Sequence, residues 1–143
     1  MSRALIVIDM QNDFCPGGAL AVAGGDEILA PINALMAQYD TVVLTQDWHP
    51  ADHTSFADNH PGAAPFSSVD MAYGPQVLWP RHCVIGSPGA AFHPDLDLDR
   101  ADMIIDTSRM RTTALRTRLR HAFSELTDQQ LMEVQGFSFG FKH

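Results

Sequence analysis

Residues 4–18 read ALIVIDMQNDFCPGG. The run from Ala4 to Ile8 is short, continuous and apolar, which is typical of a β-strand covered on both faces. Acidic and amide side chains follow the run at once, and Cys15-Pro16-Gly17-Gly18 then breaks regular structure. In open α/β sheets the loops at the carboxyl ends of parallel strands line the ligand crevice. We therefore expect Asp9 and its neighbours to line a functional site.

A second apolar run, Thr41 to Thr45, leads in the same way into Asp47-Trp48-His49. The chain between the two runs has apolar residues at helical spacing, with Asp26 as the expected N-cap and Pro31 in the first turn. Strand, helix and strand in this order predict a right-handed βαβ unit with parallel neighbouring strands. The sequence therefore predicts an α/β fold with a parallel sheet, and it places Asp9 and Asp47 at one edge of that sheet.

The remaining chain carries weaker structural signals. Residues 52–92 are rich in Gly, Pro and Ser, and so long a stretch without periodicity predicts a functional loop. Asp102 to Ile105 predicts a third strand. Beyond it, the sequence predicts one apolar helical face, formed by Leu115, Leu119, Ala122 and Leu126. Alternating phenylalanines then predict a strand edge at Phe137, Phe139 and Phe141.

Composition limits the partners that the chain can have. With 143 residues, of which 45% are hydrophobic, it is long enough for one domain with a core. Its formal net charge of −8 argues against nucleic acid or an anionic membrane as a partner. No apolar run approaches the roughly 20 residues that span a bilayer, and the first residues do not resemble a signal peptide. We therefore expect a cytoplasmic protein, in which Cys15 and Cys83 are reduced thiols.

Charge and proline content change together at Asp106. Up to that residue acidic side chains far outnumber basic ones, and all the prolines occur there; after it, basic residues are in excess. A tail of this length is too short to form a core of its own. The sequence therefore predicts one domain at residues 1–106, followed by a divergent basic helical tail at residues 107–143.

The spacing of Asp47 and His49 is common in proteins, but it would allow both side chains to bind one cation. In a strand-end segment residues i and i+2 point to the same side, and His82 offers a third ligand from the long loop. Two histidines and one carboxylate with open positions suit Zn²⁺, Fe²⁺ or Mn²⁺. The alternative is that Asp47 caps a turn and that the histidines are ordinary polar loop residues.

Three motifs in a fixed order resemble one family: ALIVIDMQNDFCPGGAL at residues 4–20, TQDWHPADHTSF at 45–56 and WPRHCVIGSPGA at 79–90. Over residues 3–105 the chain resembles the nicotinamidases, also called pyrazinamidases, of the isochorismatase-like cysteine hydrolase superfamily. The resemblance implies a three-layer α/β sandwich around a parallel sheet, here incomplete at the C-terminus. It also implies hydrolysis of nicotinamide to nicotinate and ammonia, a step of NAD salvage.

The resemblance implies a role for each residue of the catalytic and metal sites. By this resemblance Asp9 is the catalytic carboxylate, which accepts the proton of a cysteine thiol and passes it to the departing ammonia. Asp47, His49 and His82 match the ligands of one divalent metal ion, zinc ahead of iron or manganese. In the family this metal holds the pyridine nitrogen of nicotinamide and positions the ring.

Three further residues match the surroundings of that metal by the same resemblance. Phe14 and Trp79 match the aromatic walls of the nicotinamide pocket, although core packing is the ordinary role of an aromatic side chain. His53 matches a position that joins the outer metal shell in some relatives, and an ordinary polar loop histidine is the alternative.

Two catalytic residues of the family have no counterpart in this sequence. The family places a lysine just after the third strand and a nucleophilic cysteine in a later Ala-x-Asp-x-Cys turn. Here the third strand is followed by Asp106-Thr107-Ser108-Arg109, the only lysine is Lys142, and no cysteine follows Cys83. Cys15 and Cys83 are weak substitutes, since neither is expected at a helix N-terminus. Arg109 is a weak one as well, because a guanidinium is not equivalent to an ammonium.

Two hypotheses therefore stay open. The chain is a nicotinamidase-type amidohydrolase of a small aromatic amide, or it is a catalytically inactive, truncated relative that binds metal, a pyridine carboxamide or an intact subunit. A frameshift, an altered splice or a rearrangement would each explain the change at Asp106. Loss of the later strands predicts poor folding or an apolar sheet edge that favours a homo-oligomer.

Overall fold

A three-stranded parallel sheet forms the centre of the molecule. The computed structural model describes residues 3–108 and 110–126, apart from the side chains of 112 and 122–126. The strands and α-helices in chain order are β1 (Ala4–Ile8), α1 (Leu29–Met36), β2 (Thr41–Gln46), β3 (Ser68–Met71), β4 (Gly74–Val77), β5 (Met103–Asp106) and α2 (Thr112–Leu126). The sheet has the order β1-β2-β5, and both of its pairs are parallel. The predicted α/β class with a parallel sheet is confirmed.

The register of the sheet brings the strand ends together. Ile8 of β1 pairs with Thr45 of β2, and Thr45 pairs with Ile105 of β5. The residues that follow all three strands therefore leave the sheet at the same edge. Asp9 and Asp47 lie there, as the βαβ prediction requires.

Both faces of β2 are covered. Val42 and Leu44 belong to the larger apolar core on one face, where α1 contributes Leu29 and Met36. On the other face Val43 is fully buried with Ile105 of β5, and the side chains of α2 that pack against this pair are Leu115 and Leu119. Every residue from Thr41 to Thr45 is buried, which explains why this strand has a continuous rather than an alternating apolar pattern.

The expectation that β1 is covered on both faces is wrong for the described part of the chain. Val7 is buried, but Ile6 is 37% and Ile8 68% exposed. These two side chains lie on the α2 side of the sheet, where α2 packs over β2 and β5 and does not bury them. Ile104 of β5 is also exposed, at 48%. The sheet thus has apolar side chains in solvent at both outer strands, and self-association through them stays a prediction.

The chain enters α1 differently from the prediction. A 3₁₀ turn, Gly25–Ile28, precedes the helix, and Asp26 lies within that turn and does not cap it. Gly24 has a φ of 70°, in the left-handed region that glycine adopts easily, and its carbonyl accepts the Glu27 N–H at 3.0 Å. A main-chain carbonyl, that of Gly24, therefore accepts a hydrogen bond at the start of this turn, and the Asp26 side chain does not. Pro31 lies in the first turn of α1, as expected.

Residues 52–92 contain more structure than the sequence indicates. An antiparallel hairpin forms from β3 and β4, and a bridge between Phe56 and Trp79 lies within the segment. Two further isolated bridges tie the segment to the rest of the fold, His49 with Val84 and Gln11 with Phe92. The hairpin was missed because its strands have only four residues each and are largely exposed. The segment carries His82 to the edge where Asp47 lies.

The third strand lies within one residue of its predicted position. Of the predicted apolar helical face, Leu115 and Leu119 are described, and the side chains of Ala122 and Leu126 lie outside the described residues. Strand β5 covers Met103–Asp106 rather than Asp102 to Ile105, and α2 has Leu115 and Leu119 on the face that packs on the sheet. The predicted strand at residues 137–141 lies outside the described residues. Among the described helices, none has both the length and the apolar character that crossing a bilayer requires.

A pair of substitutions tests the burial of the sheet. Leu44 is fully buried and Ile104, its partner in the register, is 48% exposed. We expect Leu44→Ala to lower the free energy of unfolding by about 2–5 kcal/mol, because it leaves a cavity in the core. Ile104→Ala should lower it by less than about 1 kcal/mol. Urea denaturation followed by circular dichroism measures both, and equal losses would contradict the burial described here.

Candidate metal centre

Asp47, His49 and His82 converge into one group at the carboxyl edge of the sheet. His49 Nε2 lies 3.1 Å and His82 Nε2 lies 3.6 Å from the same carboxylate oxygen, Asp47 Oδ2. One ligand atom from each of the three residues lies within 4.8 Å of the others, and both histidines are buried. The structure thus brings together the three side chains that the sequence selects as metal ligands.

His82 is held in an orientation that suits a ligand. Its Nδ1 lies 2.7 Å from the carbonyl oxygen of Pro80. Because a carbonyl only accepts, Nδ1 carries the proton, and in the neutral ring Nε2 then offers a lone pair towards Asp47. A histidine that donates its other nitrogen to a carbonyl in this way is the usual arrangement around protein-bound metals.

His49 has a ring nitrogen that the protein leaves unsatisfied. Its Nδ1 is buried and has no hydrogen-bond partner among the described residues. Buried polar atoms normally have a partner, so such an atom indicates a group that completes the site. Two imidazoles and a carboxylate are donors that Zn²⁺, Fe²⁺ and Mn²⁺ accept. The residues present therefore fit a divalent metal ion.

The three side chains also perturb one another's protonation. Burial alone would raise the pKa of Asp47, but the nearby His49 and His82 side chains outweigh it and hold the pKa well below its ordinary value. Burial alone would lower the pKa of His82, but the contacts with Asp47 and with the Pro80 carbonyl raise it. Asp47 therefore stays a charged carboxylate, the form in which a carboxyl group binds a metal ion.

Asp9 lies beside this group in a strained backbone conformation. Its φ is 51°, which is uncommon for a residue other than glycine. Thr45 fixes it, because the Thr45 hydroxyl donates to Asp9 Oδ1 at 2.6 Å. Burial raises the pKa of Asp9, the Thr45 hydrogen bond opposes this rise, and the nearby Asp47 adds to it. Asp9 is therefore a carboxyl group that takes up a proton more readily than an exposed one.

Gln11 holds Asp47 in place and was not identified from the sequence. Its side chain is fully buried. Its Nε2 donates to the carbonyl oxygens of Asp47 and Ala90, both at 2.7 Å, and its Oε1 accepts the Asp47 N–H at 2.8 Å. The Gln11 amide thus pairs with the peptide groups on both sides of the Asp47 side chain. Nothing in the local sequence distinguishes this glutamine from an exposed one.

Aromatic rings surround the two histidines. Phe14 lies 5.8 Å from the His82 ring, between ring centroids. Phe56, which sequence reasoning left without a role, is fully buried, and its ring lies 5.5 Å from both His49 and His82. An apolar wall of this kind excludes water and strengthens electrostatic interactions within the site.

Trp79 and His53 lie next to this wall. The main chain of Trp79 pairs with that of Phe56. The centroid of the Trp79 ring lies 5.9 Å from that of the Phe66 ring. The His53 ring lies 4.4 Å from that of His49, and its Nδ1 makes a 2.7 Å hydrogen bond with Ser55. Burial and the neighbouring His49 lower the pKa of His53.

Both cysteines are free and buried, in agreement with the expected reduced state. Burial raises the pKa of the Cys15 thiol, and Asp26 adds to the effect. Burial and the carboxylates of Asp47, Asp13 and Asp9 raise the pKa of the Cys83 thiol. Each environment therefore disfavours the thiolate, which is the nucleophilic form. Arg109 and Lys142 lie outside the described residues.

Comparisons with known proteins show similarity to nicotinamidases in sequence and fold. A nicotinamidase of Acinetobacter baylyi is 59% identical over 102 residues, which cover 71% of this chain and 48% of that protein. A nicotinamidase/pyrazinamidase structure of Acinetobacter baumanii superposes with a TM-score of 0.71 at 54% identity, over 73% of this chain and 51% of the other. The structure of the pyrazinamidase of Pyrococcus horikoshii in complex with zinc superposes with a TM-score of 0.62 at 34% identity, over 86% of this chain and 66% of the other.

The chain spans about half the length of the curated nicotinamidases that it matches. A family model described as the isochorismatase domain matches residues 3–134, which is most of the chain and extends beyond Asp106. Because this model matches most of its residues, the chain belongs to the isochorismatase family, within which it is similar to nicotinamidases.

Proposed function

We propose that the protein is a nicotinamidase-type amidohydrolase, which converts nicotinamide and water to nicotinate and ammonia. The observation that carries the proposal is the convergence of Asp47, His49 and His82, with the unpaired His49 Nδ1, beside a buried carboxyl group. The identity of 59% to a curated nicotinamidase supports the same reaction class. A role in NAD salvage and a cytoplasmic location stay predictions from the sequence.

In this proposal Asp47, His49 and His82 hold one divalent metal ion. When bound, the ion supplies a Lewis-acid anchor for the ring nitrogen of a pyridine carboxamide. Zinc is the first candidate because a zinc complex is known for the Pyrococcus horikoshii relative. Iron and manganese accept the same donors. His53 takes a position in the outer shell of the metal, since its ring lies near that of His49 and its Nδ1 is hydrogen-bonded to Ser55.

The aromatic side chains would receive the ring of the substrate. Phe14 lies against His82, so that it can pack on a flat ring held near the triad. The main-chain bridge between Trp79 and Phe56 supports Trp79 as the second wall. Because such a pocket binds by its apolar faces and by one ring nitrogen, it fits small aromatic amides in general, nicotinamide and pyrazinamide among them.

Asp9 is the proton carrier of the proposed reaction. Amide hydrolysis must protonate the departing nitrogen, and a carboxyl group with a raised pKa suits that step. The Thr45 hydroxyl fixes Oδ1 of Asp9 and leaves its second oxygen available for the proton. The left-handed backbone at Asp9 turns the chain away from the strand direction at this point.

The acyl-transfer half of the reaction has no suited residue in the described part of the chain. The family forms a thioester on a cysteine, but Cys15 and Cys83 are buried thiols whose environments disfavour the thiolate. In the proposed reaction water itself would therefore attack the carboxamide carbon, and Asp9 would take a proton from the water and pass it to the departing nitrogen. The sequence also allowed a catalytically inactive relative that binds metal or a pyridine carboxamide. An activity measurement must therefore exclude that hypothesis.

Ammonia release from nicotinamide tests the proposed reaction. We expect the zinc-loaded full chain to release ammonia, and His82→Ala to reduce the rate at least about 100-fold, because second-layer losses alone reach 10–100-fold in such sites. His60→Ala is the matched control, since His60 is a partly buried histidine that contacts the Thr54 carbonyl. It should retain the wild-type rate.

Two outcomes would contradict the proposal in different ways. Stoichiometric zinc and nicotinamide binding without ammonia release would make the chain a binder of pyridine carboxamides. Equal ammonia release by wild type and His82→Ala would place the activity elsewhere.

Asp9→Asn tests whether the buried, ionised Asp9 side chain destabilises the fold. The raised pKa means that the folded state binds the Asp9 proton more tightly than the unfolded state does. The ionised group therefore destabilises the fold above the folded pKa, and the effect vanishes below the ordinary carboxyl pKa of about 3.9. With metal removed by a chelator, we expect Asp9→Asn to raise the melting temperature at pH 7 but not at pH 3.5. A lower melting temperature at pH 7 would contradict the burial assigned to Asp9.

Thiol labelling tests whether either cysteine is available as a nucleophile. Cys15 is 4% exposed and Cys83 is fully buried. We expect Ellman's reagent to label neither thiol in the native chain within the time that labels both in denaturant. Rapid native labelling of one cysteine, lost on addition of nicotinamide, would instead identify that cysteine as the nucleophile.

A further inference from the structure

Asp13 is a carboxylate that the structure holds at both oxygens. It lies in the 3₁₀ turn Asn12–Phe14 after β1. Its Oδ2 accepts the N–H of Cys83 at 2.7 Å, and its Oδ1 accepts the N–H of Ala19 at 3.1 Å. The main-chain carbonyl of Asp13 also accepts the N–H of Leu20, at 2.9 Å. The side chain therefore has one position relative to the Cys83 peptide.

The backbone of Cys83 links the two histidines of the triad through the peptide groups on both sides of its Cα. Cys83 follows His82 directly, and its carbonyl accepts the His49 N–H at 2.9 Å. Cys83 has a φ of 46°, so its backbone occupies the left-handed region that non-glycine residues rarely adopt. A residue in this conformation needs fixed neighbours. The Asp13 hydrogen bond is made at that residue.

Gly89 shows how closely the Asp13 carboxylate is enclosed. A Cβ placed on Gly89 would lie 2.2 Å from Asp13 Oδ2, much closer than real side chains approach. A side chain at this position would therefore displace the carboxylate from the Cys83 N–H. Glycine leaves the space that the carboxylate occupies.

We propose that Asp13 is a positioning residue for the metal triad, and that it sets the spacing of His49 and His82 through the Cys83 peptide. The inference rests on the metal site proposed above and adds a residue to it. Asp13 acts on the ligands through the backbone, in contrast to Pro80, whose carbonyl contacts the His82 ring. Groups that orient metal ligands typically contribute about 10–100-fold to metal affinity.

A simple structural link between two loops is the competing explanation, and Asp102 provides the control for it. Asp102 Oδ2 accepts the Val42 N–H at 2.7 Å, so it makes the same bond at the same distance. Asp102 lies just before β5, at the opposite edge of the sheet from the triad. Loss of either carboxylate should destabilise the fold, but only loss of Asp13 should change the metal site.

The test compares the full wild-type chain with four variants, Asp13→Ala, Asp13→Asn, Gly89→Ala and Asp102→Ala. Zinc affinity is measured by competition with a chelator, and ligand geometry by the visible absorption of bound Co²⁺. We expect Asp13→Ala to weaken zinc binding about 10–100-fold and to change the Co²⁺ spectrum. Asp13→Asn should be intermediate, because its amide oxygen can still accept the Cys83 N–H.

Gly89→Ala separates the position of the Asp13 carboxylate from its charge. It also replaces Asp13→Ala as the test variant if Asp13→Ala does not fold. This variant keeps the Asp13 charge but displaces the carboxylate, so it should weaken zinc binding and change the Co²⁺ spectrum as well. Asp102→Ala should keep the wild-type zinc affinity and spectrum at a temperature where it is folded.

The outcomes distinguish this inference from the proposed metal site. A wild-type chain that binds zinc, with Gly89→Ala and Asp13→Ala indistinguishable from Asp102→Ala, would overturn the role of Asp13 alone. A loss in Asp13→Ala with no change in Gly89→Ala would also overturn it, in favour of a charge effect. A wild-type chain that binds neither metal ion would overturn the metal site and, with it, this inference.

Discussion

The parallel register between β1 and β2 is the constraint on which the site depends. Ile8 pairs with Thr45, and for that reason Asp9 and Asp47 leave the sheet side by side. A shift of one residue would move the two strand ends apart by about 3.3 Å and would turn each buried side chain of β2 to the opposite face. Burial of β2 on both faces makes such a shift unfavourable, so the core that stabilises the fold also fixes the distance between the two carboxylates.

The turn after β1 then organises the rest of the site from buried polar groups. Gln11 pairs with the main chain around Asp47, and Asp13 pairs with the Cys83 peptide between the histidines. Fully satisfied networks of this kind specify one arrangement, because every alternative leaves a buried polar atom without a partner. The left-handed backbone of Cys83 is held by the Asp13 hydrogen bond, and that of Asp9 by the Thr45 hydroxyl. Strain therefore occurs where the proposed chemistry needs exact placement.

Those features that depend on neighbouring residues in the chain could be predicted from the sequence. Continuous apolar runs identified β1 and β2, whereas Asp47, His49 and His82 were proposed as metal ligands from the resemblance to nicotinamidases. The resemblance to nicotinamidases was confirmed by the comparisons. The hairpin of β3 and β4 was missed because four-residue, mostly exposed strands have almost no periodic signal. Gln11 and Asp13 were missed because their partners are 36 and 70 residues away along the chain.

The proposed reaction depends on a metal ion that Asp47, His49 and His82 would hold. X-ray absorption spectroscopy at the zinc edge, on the full chain loaded with one equivalent of zinc, tests this set of ligands most directly. We expect scattering from two imidazole rings and from oxygen ligands, without sulfur. Zinc bound through a sulfur atom, or with fewer than two imidazoles, would contradict the account, because the ion would then be held by a different set of residues.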